Sequence, residues 1–171
     1  GIAGTFVASP GSASLRLLLT MAGELAHRGP DGTGVYLDGR FGMANTRLAV
    51  IDPEGGDQPI GDEQGCYWAM ENGEIYNYVE LRVELEAAGH RFYTHTDTEV
   101  LVHGYEQWGD ELPYHLNGQF AIALWDKRER TLHLARDRFG EKPLYYGWVN
   151  GAFVFGSELK ALRAYPGFAN P

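Results

Sequence analysis

A chain of 171 residues can bury a substantial core, and 44% hydrophobic with 22% charged residues is the balance of a folded globular protein, not a disordered one. A net charge of −9 with no basic cluster excludes nucleic acid as the main partner, and no apolar run is long enough to span a bilayer, so no membrane partner is expected. Cys66 stands alone, which excludes an intrachain disulfide and fits a reducing cytoplasm, and Gly1 to Ser14 lacks the basic residues and apolar core of a secretion signal.

Ile2 to Ala8 is small and apolar and reads as a buried strand, broken at Pro10-Gly11. With Ser12 or Ser14 as N-cap, Leu15, Leu18, Leu19, Ala22 and Leu25 follow helical spacing up to the polar loop His27 to Gly32. Val35 to Leu37 and Phe41 to Ile51 read as strands joined by a turn at Asp38-Gly39. Asp52 to Gly65 is a loop rich in Gly and Asp, and Cys66 to Met70 is a strand running into Asn72-Gly73-Glu74, where the Asn-Gly pair signals a turn or a binding group at a strand end. Val79 to Ala88 is helical, with Leu81, Leu85 and Ala88 on one stripe and Gly89 as its cap. Thr96 to Glu99 fits a capping box with Thr96 as N-cap, ahead of an apolar face at Val100, Leu101, Tyr105 and Trp108. Leu112 to Leu116 is a short segment, and Phe120 to Trp125 is apolar on both faces, a strand to be covered on both sides by a sheet and by helices. Thr131 to Ala135, Leu144 to Val149 and Ala152 to Phe155 are strands, Ser157 opens a last helix through Leu162, and Tyr165 to Pro171 leads out.

Several chemistries fail on counting. There is no phosphate-binding Gly loop and no His-Glu-x-x-His, and Ser157-Glu158-Leu159-Lys160 lacks the companion motifs of the Ser-x-x-Lys acylases. His95, Asp97, Glu99 and His103 lie close in sequence, but Asp97 and Glu99 have capping work and no second cluster completes a metal site. Cys66 reads as a small buried hydrophobe. Arg28, Asp31, Arg47, Asn72, Glu74, Asp97, Asp137, Arg138 and Lys142 form a more coherent set beside glycines. Arg47 interrupts its strand and is either one half of an ion pair or a bidentate clamp for a carboxylate. With Asp97 for an ammonium, it would recognise an α-amino acid.

The ordered stretches Gly1 to Gly4, His27 to Gly32, Arg47 to Asp52, Asn72 to Tyr78, Asp97 to Val100, Leu116 to Ala121, Asp137 to Tyr146 and Ser157 to Leu162 resemble the class II glutamine amidotransferase domain of asparagine synthetase-like enzymes. The resemblance covers nearly the whole chain. It implies an α+β fold, a four-layer αββα sandwich of the N-terminal-nucleophile hydrolase type, with residues 1–171 a single glutaminase domain at the N-terminal end of a longer synthetase. In the family an N-terminal cysteine attacks the side-chain amide of L-glutamine, giving a thioester, glutamate and ammonia, with its own α-amine as base.

Carried over by motif, Asn72 through its side-chain amide and Gly73 through its backbone N–H would form the oxyanion hole. Arg47 would bind the α-carboxylate of glutamine, Leu48, Val50 and Ile51 would line the site, and Asp97 and Glu74 would hold the α-amino end. Asp137 to Tyr146 and Ser157 to Leu162 would be structural, or would close the site and pass ammonia onward. The family begins Cys-Gly-Ile-Ala-Gly, so its nucleophile falls immediately before Gly1, and the chain as written is expected not to hydrolyse glutamine. Cys66 has no free amine and cannot replace it. No cofactor or metal is implied for this domain; ATP and Mg belong to the synthetase domain expected C-terminally in the same polypeptide. A non-catalytic glutamine-binding or regulatory domain is the alternative, and an acceptor other than aspartate, such as a polysaccharide or β-lactam precursor, stays open, as does a homodimer.

Overall fold

A computed structural model describes residues 1–8, 10–52 and 55–168. Pro53 and Glu54 of the expected loop and Ala169 to Pro171 of the expected exit segment lie outside the described residues. The elements run β1 (Ile2–Val7), α1 (Leu15–Gly23), β2 (Gly32–Asp38), β3 (Phe41–Arg47), β4 (Ile60–Gly61), β5 (Tyr67–Ile75), α2 (Tyr78–Ala87), α3 (Glu99–Trp108), α4 (Leu112–His115), β6 (Gly118–Asp126), β7 (Thr131–Arg136), β8 (Tyr145–Val149), β9 (Ala152–Gly156) and α5 (Leu159–Arg163). They fall into two compact units, one of Gly1–Leu48 with Pro143–Pro171 and one of Ala49–Lys142.

The first unit is a five-stranded antiparallel sheet ordered β2-β3-β1-β9-β8. Ser14 caps α1 as expected, its hydroxyl accepting from the N–H of Leu17. The buried stripe of that helix is Leu18, Met21 and Ala22, continued by Leu25, while Leu15 and Leu19 stay exposed. Met21 and Leu25 meet Ala3 and Ala161, so α1 and α5 share one face of the sheet. The β2–β3 turn falls at Gly39-Arg40, one residue later than the sequence suggests, because Asp38 still pairs with Phe41. β3 ends at Arg47 and does not run to Ile51, so Arg47 closes a strand instead of interrupting one.

The second unit is a four-stranded antiparallel sheet ordered β4-β5-β6-β7. Alternate residues of its strands, Ala69 and Ile75 with Phe120, Ile122 and Leu124, pack against Leu81, Leu85, Val100 and Leu101 of α2 and α3. Each of the larger side chains among them, fully buried, stabilises by about 1.5–3 kcal/mol. Ala121, Ala123 and Trp125 point the other way and are equally buried, so β6 is covered on both faces as its composition requires. α2 ends with Gly89 at φ 102°, a left-handed cap that glycine takes without strain. The capping box at α3 does not form. Thr98 holds the N-cap position, and Glu99 turns instead to the N–H groups of Tyr93 and Thr94. Ser157 likewise is not a helix cap, since Glu158 precedes α5 and the Ser157 hydroxyl is used elsewhere.

Candidate active site

Asn72, Gly73 and Glu74 do not form a turn. They lie inside β5, whose nine residues pair with β6 from Tyr67↔Asp126 to Ile75↔Gly118. The register decides where each backbone N–H points. Tyr76 donates to the directly opposite Asn117 oxygen, so residues 74 and 72 also face β6 and the odd-numbered residues face away from it. β4 pairs with β5 only at Trp68 and Ala69, leaving the far part of that edge without a strand. Side chains fill it selectively. The Glu71 N–H goes to Gln58 Oε1 at 2.8 Å and the Ile75 N–H to Asp97 Oδ2 at 2.9 Å. The Gly73 N–H, midway between them, meets no acceptor among the described residues.

A second donor lies beside it. The Asn72 side-chain nitrogen Nδ2 is buried and has no hydrogen-bond partner among the described residues. A buried amide without a partner costs on the order of 1–3 kcal/mol, which marks Asn72 Nδ2 as a group that calls for a function, while the neighbouring Gly73 is exposed and its N–H is open to a ligand. Glycine is required at 73 for space. A Cβ there would stand 2.1 Å from the Gln119 oxygen and 2.6 Å from Phe120 Cα, both backbone atoms that cannot swing aside. Two open N–H donors on adjacent residues, one backbone and one side chain, suit an oxygen that gains negative charge.

Behind them sits a buried acid pair. Asp97 anchors the end of β5 through Ile75 and accepts from the Thr96 hydroxyl at 3.2 Å. Burial raises its pKa above the ordinary range. Glu71 accepts from the Thr98 hydroxyl at 2.8 Å, and burial, then the charge of Asp97, push its carboxyl well above its usual pKa. Glu71 interrupts an apolar strand, which is the one sequence signal that could have marked it, and it belongs to the support of Asp97.

In the first unit the start of β1 is fastened on both sides. Gly1 and Thr46 exchange backbone hydrogen bonds of 2.7 and 2.8 Å, while Ile2 N–H donates to Ser157 Oγ at 2.9 Å and Ser157 N–H to the Ile2 oxygen at 2.8 Å. Arg28 and His27 hold Glu158 at 2.9 and 2.8 Å, with Lys160 Nζ at 3.3 Å. Burial opposes the charge of Glu158, yet hydrogen bonds from Arg28, His27 and Lys160 bring its pKa down to about 2. These partners are some 130 residues apart, so no local pattern announces them. Arg47 is buried at the end of β3, and Leu48 after it is exposed. In the second unit Val50 is exposed, Ile51 and Glu74 are half-buried, and Asp97 is buried.

The metal set drawn from sequence is not assembled. Glu99 is occupied by Tyr93, Thr94 and His103, Asp97 by Ile75, and His95 is exposed. Cys66 precedes β5 in a turn and is half-buried, not a core residue.

The whole sequence, residues 1–171, matches the family described as the glutamine amidotransferase domain. The chain belongs to that family. It is 47% identical to asparagine synthetase [glutamine-hydrolyzing] 1 of Bacillus subtilis over 146 residues, covering 85% of this chain and 23% of that protein. A second Bacillus subtilis relative, asparagine synthetase [glutamine-hydrolyzing] 2, is 41% identical over 169 residues, 97% of this chain and 22% of its own length. The chain thus spans less than a quarter of these relatives. The glutamine phosphoribosylpyrophosphate amidotransferase of B. subtilis, solved with ADP and GMP, superposes with a TM-score of 0.79 at 22% identity, over 95% of this chain and 43% of that one. That likeness shows the fold class of the amidotransferase domain to be the expected α+β, N-terminal-nucleophile hydrolase type.

In the amidotransferase domain, Asp137 to Lys142 has a plain structural reading. The Asp137 carboxylate accepts N–H groups of Phe120, Phe139, Glu141 and Lys142. Burial works against that charge, but the four donors hold its pKa below the ordinary carboxylate range. No helix among the described residues is long and apolar enough to cross a membrane.

Proposed function

We propose that this amidotransferase domain releases ammonia from L-glutamine for an ATP-dependent amidation by a synthetase domain further along the same polypeptide, as the names of the asparagine synthetase relatives suggest. The single observation that carries the reading is the pair of unengaged donors, Asn72 Nδ2 and Gly73 N–H, at the open edge of β5. A cysteine immediately before Gly1 is the nucleophile. Its α-amine, with a pKa of about 7.7–8.0, takes the thiol proton at cellular pH. The thiolate adds to the side-chain amide carbon of glutamine, the carbonyl oxygen becomes an oxyanion, and Asn72 and Gly73 donate to it. Ammonia leaves with a proton from the amine, and water then cleaves the thioester to give glutamate and the free thiol.

Arg47 takes the α-carboxylate and Asp97 with Glu74 the α-amino end, with Leu48, Val50 and Ile51 lining the site. The β1–β3 register supports the first assignment: partners sum to 47, so a residue before Gly1 would fall opposite Arg47. Residues 1–171 act in this reading as one glutaminase domain. ATP and Mg serve the synthetase domain, and aspartate is the acceptor that the relatives' names suggest.

The test is glutamate release from glutamine by the protein with a free cysteine before Gly1. Release that requires the cysteine supports the reading. Glutamine binding with no release in either form would instead mark a binding or regulatory domain.

A further inference from the structure

The second unit carries a cluster that glutamine hydrolysis does not use. His90 follows α2 and is fixed in place by its own N–H, which donates to the Leu85 oxygen at 3.0 Å. His103 and Glu106 lie one turn apart on α3. One ring nitrogen from each histidine and one carboxylate oxygen of Glu106 lie within 4.8 Å of one another.

The hydrogen bonds around this cluster leave it short of a cation. His103 is fully buried, and its Nε2 faces Glu99 Oε1 at 3.4 Å. Glu99 already accepts from the N–H groups of Tyr93 and Thr94, so it meets His103 Nε2 as an acceptor and leaves the other ring nitrogen for a ligand. The other nitrogen, Nδ1, is buried with no hydrogen-bond partner among the described residues. His90 repeats the pattern. Its Nε2 faces the Gln107 side-chain oxygen at 3.1 Å, and its Nδ1 stands 3.3 Å from Glu106 Oε2. Two imidazoles and a carboxylate are thus gathered within reach of a single ion. One divalent cation would answer the unpartnered His103 Nδ1 and the Glu106 carboxylate together.

We propose that His90, His103 and Glu106 form a binding site for a borderline divalent metal ion of the zinc class. Two imidazoles and a carboxylate are a zinc-type donor set, with a water or a second carboxylate oxygen completing the tetrahedron. Ligand atoms around such an ion stand roughly 3.3–3.5 Å apart, given metal–ligand distances of about 2.0–2.2 Å. The His90–Glu106 pair already has that spacing at 3.3 Å, and all three ligand atoms lie within 4.8 Å of one another. Glu99 behind His103 and Gln107 behind His90 orient the rings as acceptors behind a ligating histidine do. The ion would tie the chain after α2 to α3, and nothing in this proposal depends on the glutaminase reading.

The experiment titrates zinc chloride into the purified, chelator-treated protein, reading bound metal and the thermal midpoint. One equivalent of zinc should bind and raise the midpoint. Affinity should fall by at least about tenfold in His90→Ala and in Glu106→Gln, two partly exposed positions whose variants can be checked for folding by circular dichroism. His95→Ala, an exposed histidine outside the cluster, should bind as the parent does. Uptake below a tenth of an equivalent, or binding undiminished in the folded double variant of His90→Ala and Glu106→Gln, would overturn the proposal.

Discussion

Asp137 and Glu71 are both buried carboxyls of the same unit, 6% and 5% exposed, and the chain treats them oppositely. Asp137 gathers four backbone N–H groups and keeps its charge in spite of burial. Glu71 receives one hydroxyl on Oε1 and no donor on Oε2, and burial with the Asp97 charge holds it protonated over a wider range. The first region is matched atom for atom and builds a loop. The second leaves polar atoms unmatched, and the adjoining Asn72 and Gly73 leave two N–H donors open. The difference separates groups that hold the fold from groups kept ready for a ligand.

The largest effect that could break this comparison is at Asp137. Asp137→Ala strips four N–H groups of a charged acceptor and should cost about 3 kcal/mol or more by chemical denaturation; a loss below about 1 kcal/mol would show that water replaces the carboxylate. Thr98→Val removes the hydroxyl that both donates to Glu71 and accepts from Gln58 Nε2, at 2.8 and 3.0 Å, and should cost about 1–2 kcal/mol. The smallest effect is Glu71→Gln, which mimics the protonated acid and should change stability by less than about 1 kcal/mol near pH 5.

Glu71→Gln sharpens the comparison through pH. Because the folded pKa of Glu71 is raised, its contribution is complete below the unfolded value of about 4.3 and is lost as pH rises through the folded value. Parent stability should therefore fall relative to Glu71→Gln as pH increases above about 5. Asp137 and Glu158 act with the opposite sign. Their folded pKa values are lowered, to about 2 for Glu158, so their contributions are present above the unfolded values and lost as pH falls. Thermal midpoints of parent and variant across pH check both signs, and parallel curves would contradict them.

Much of this was legible in the sequence, and the failures share a cause. The Ser14 cap, the Gly89 cap and the doubly buried Phe120 to Trp125 strand follow from local spacing. Asn72-Gly73 carries a strong short turn signal, yet the β6 pairing runs straight through it, and the close backbone at Gln119 explains the glycine. Glu99 satisfies the spacing of a capping box, but the part-buried N–H of Tyr93 and the buried N–H of Thr94 take it as their acceptor. Ser157 was claimed by β1, and Glu158 by Arg28 and His27. In each case a partner distant in sequence or sitting on another element outbid the local one, and no window of the sequence displays it. The candidate site residues were legible as motifs, whereas the open donors of Asn72 and Gly73 emerge only from the register.

The measurement that bears most directly on those donors is steady-state glutaminase kinetics of Asn72→Ala against the parent, both with a free cysteine before Gly1. An oxyanion donor acts in the transition state, so kcat should fall by about 100- to 1,000-fold with KM for glutamine little changed. A loss carried by KM with kcat intact would contradict the account and make Asn72 a ground-state binding group.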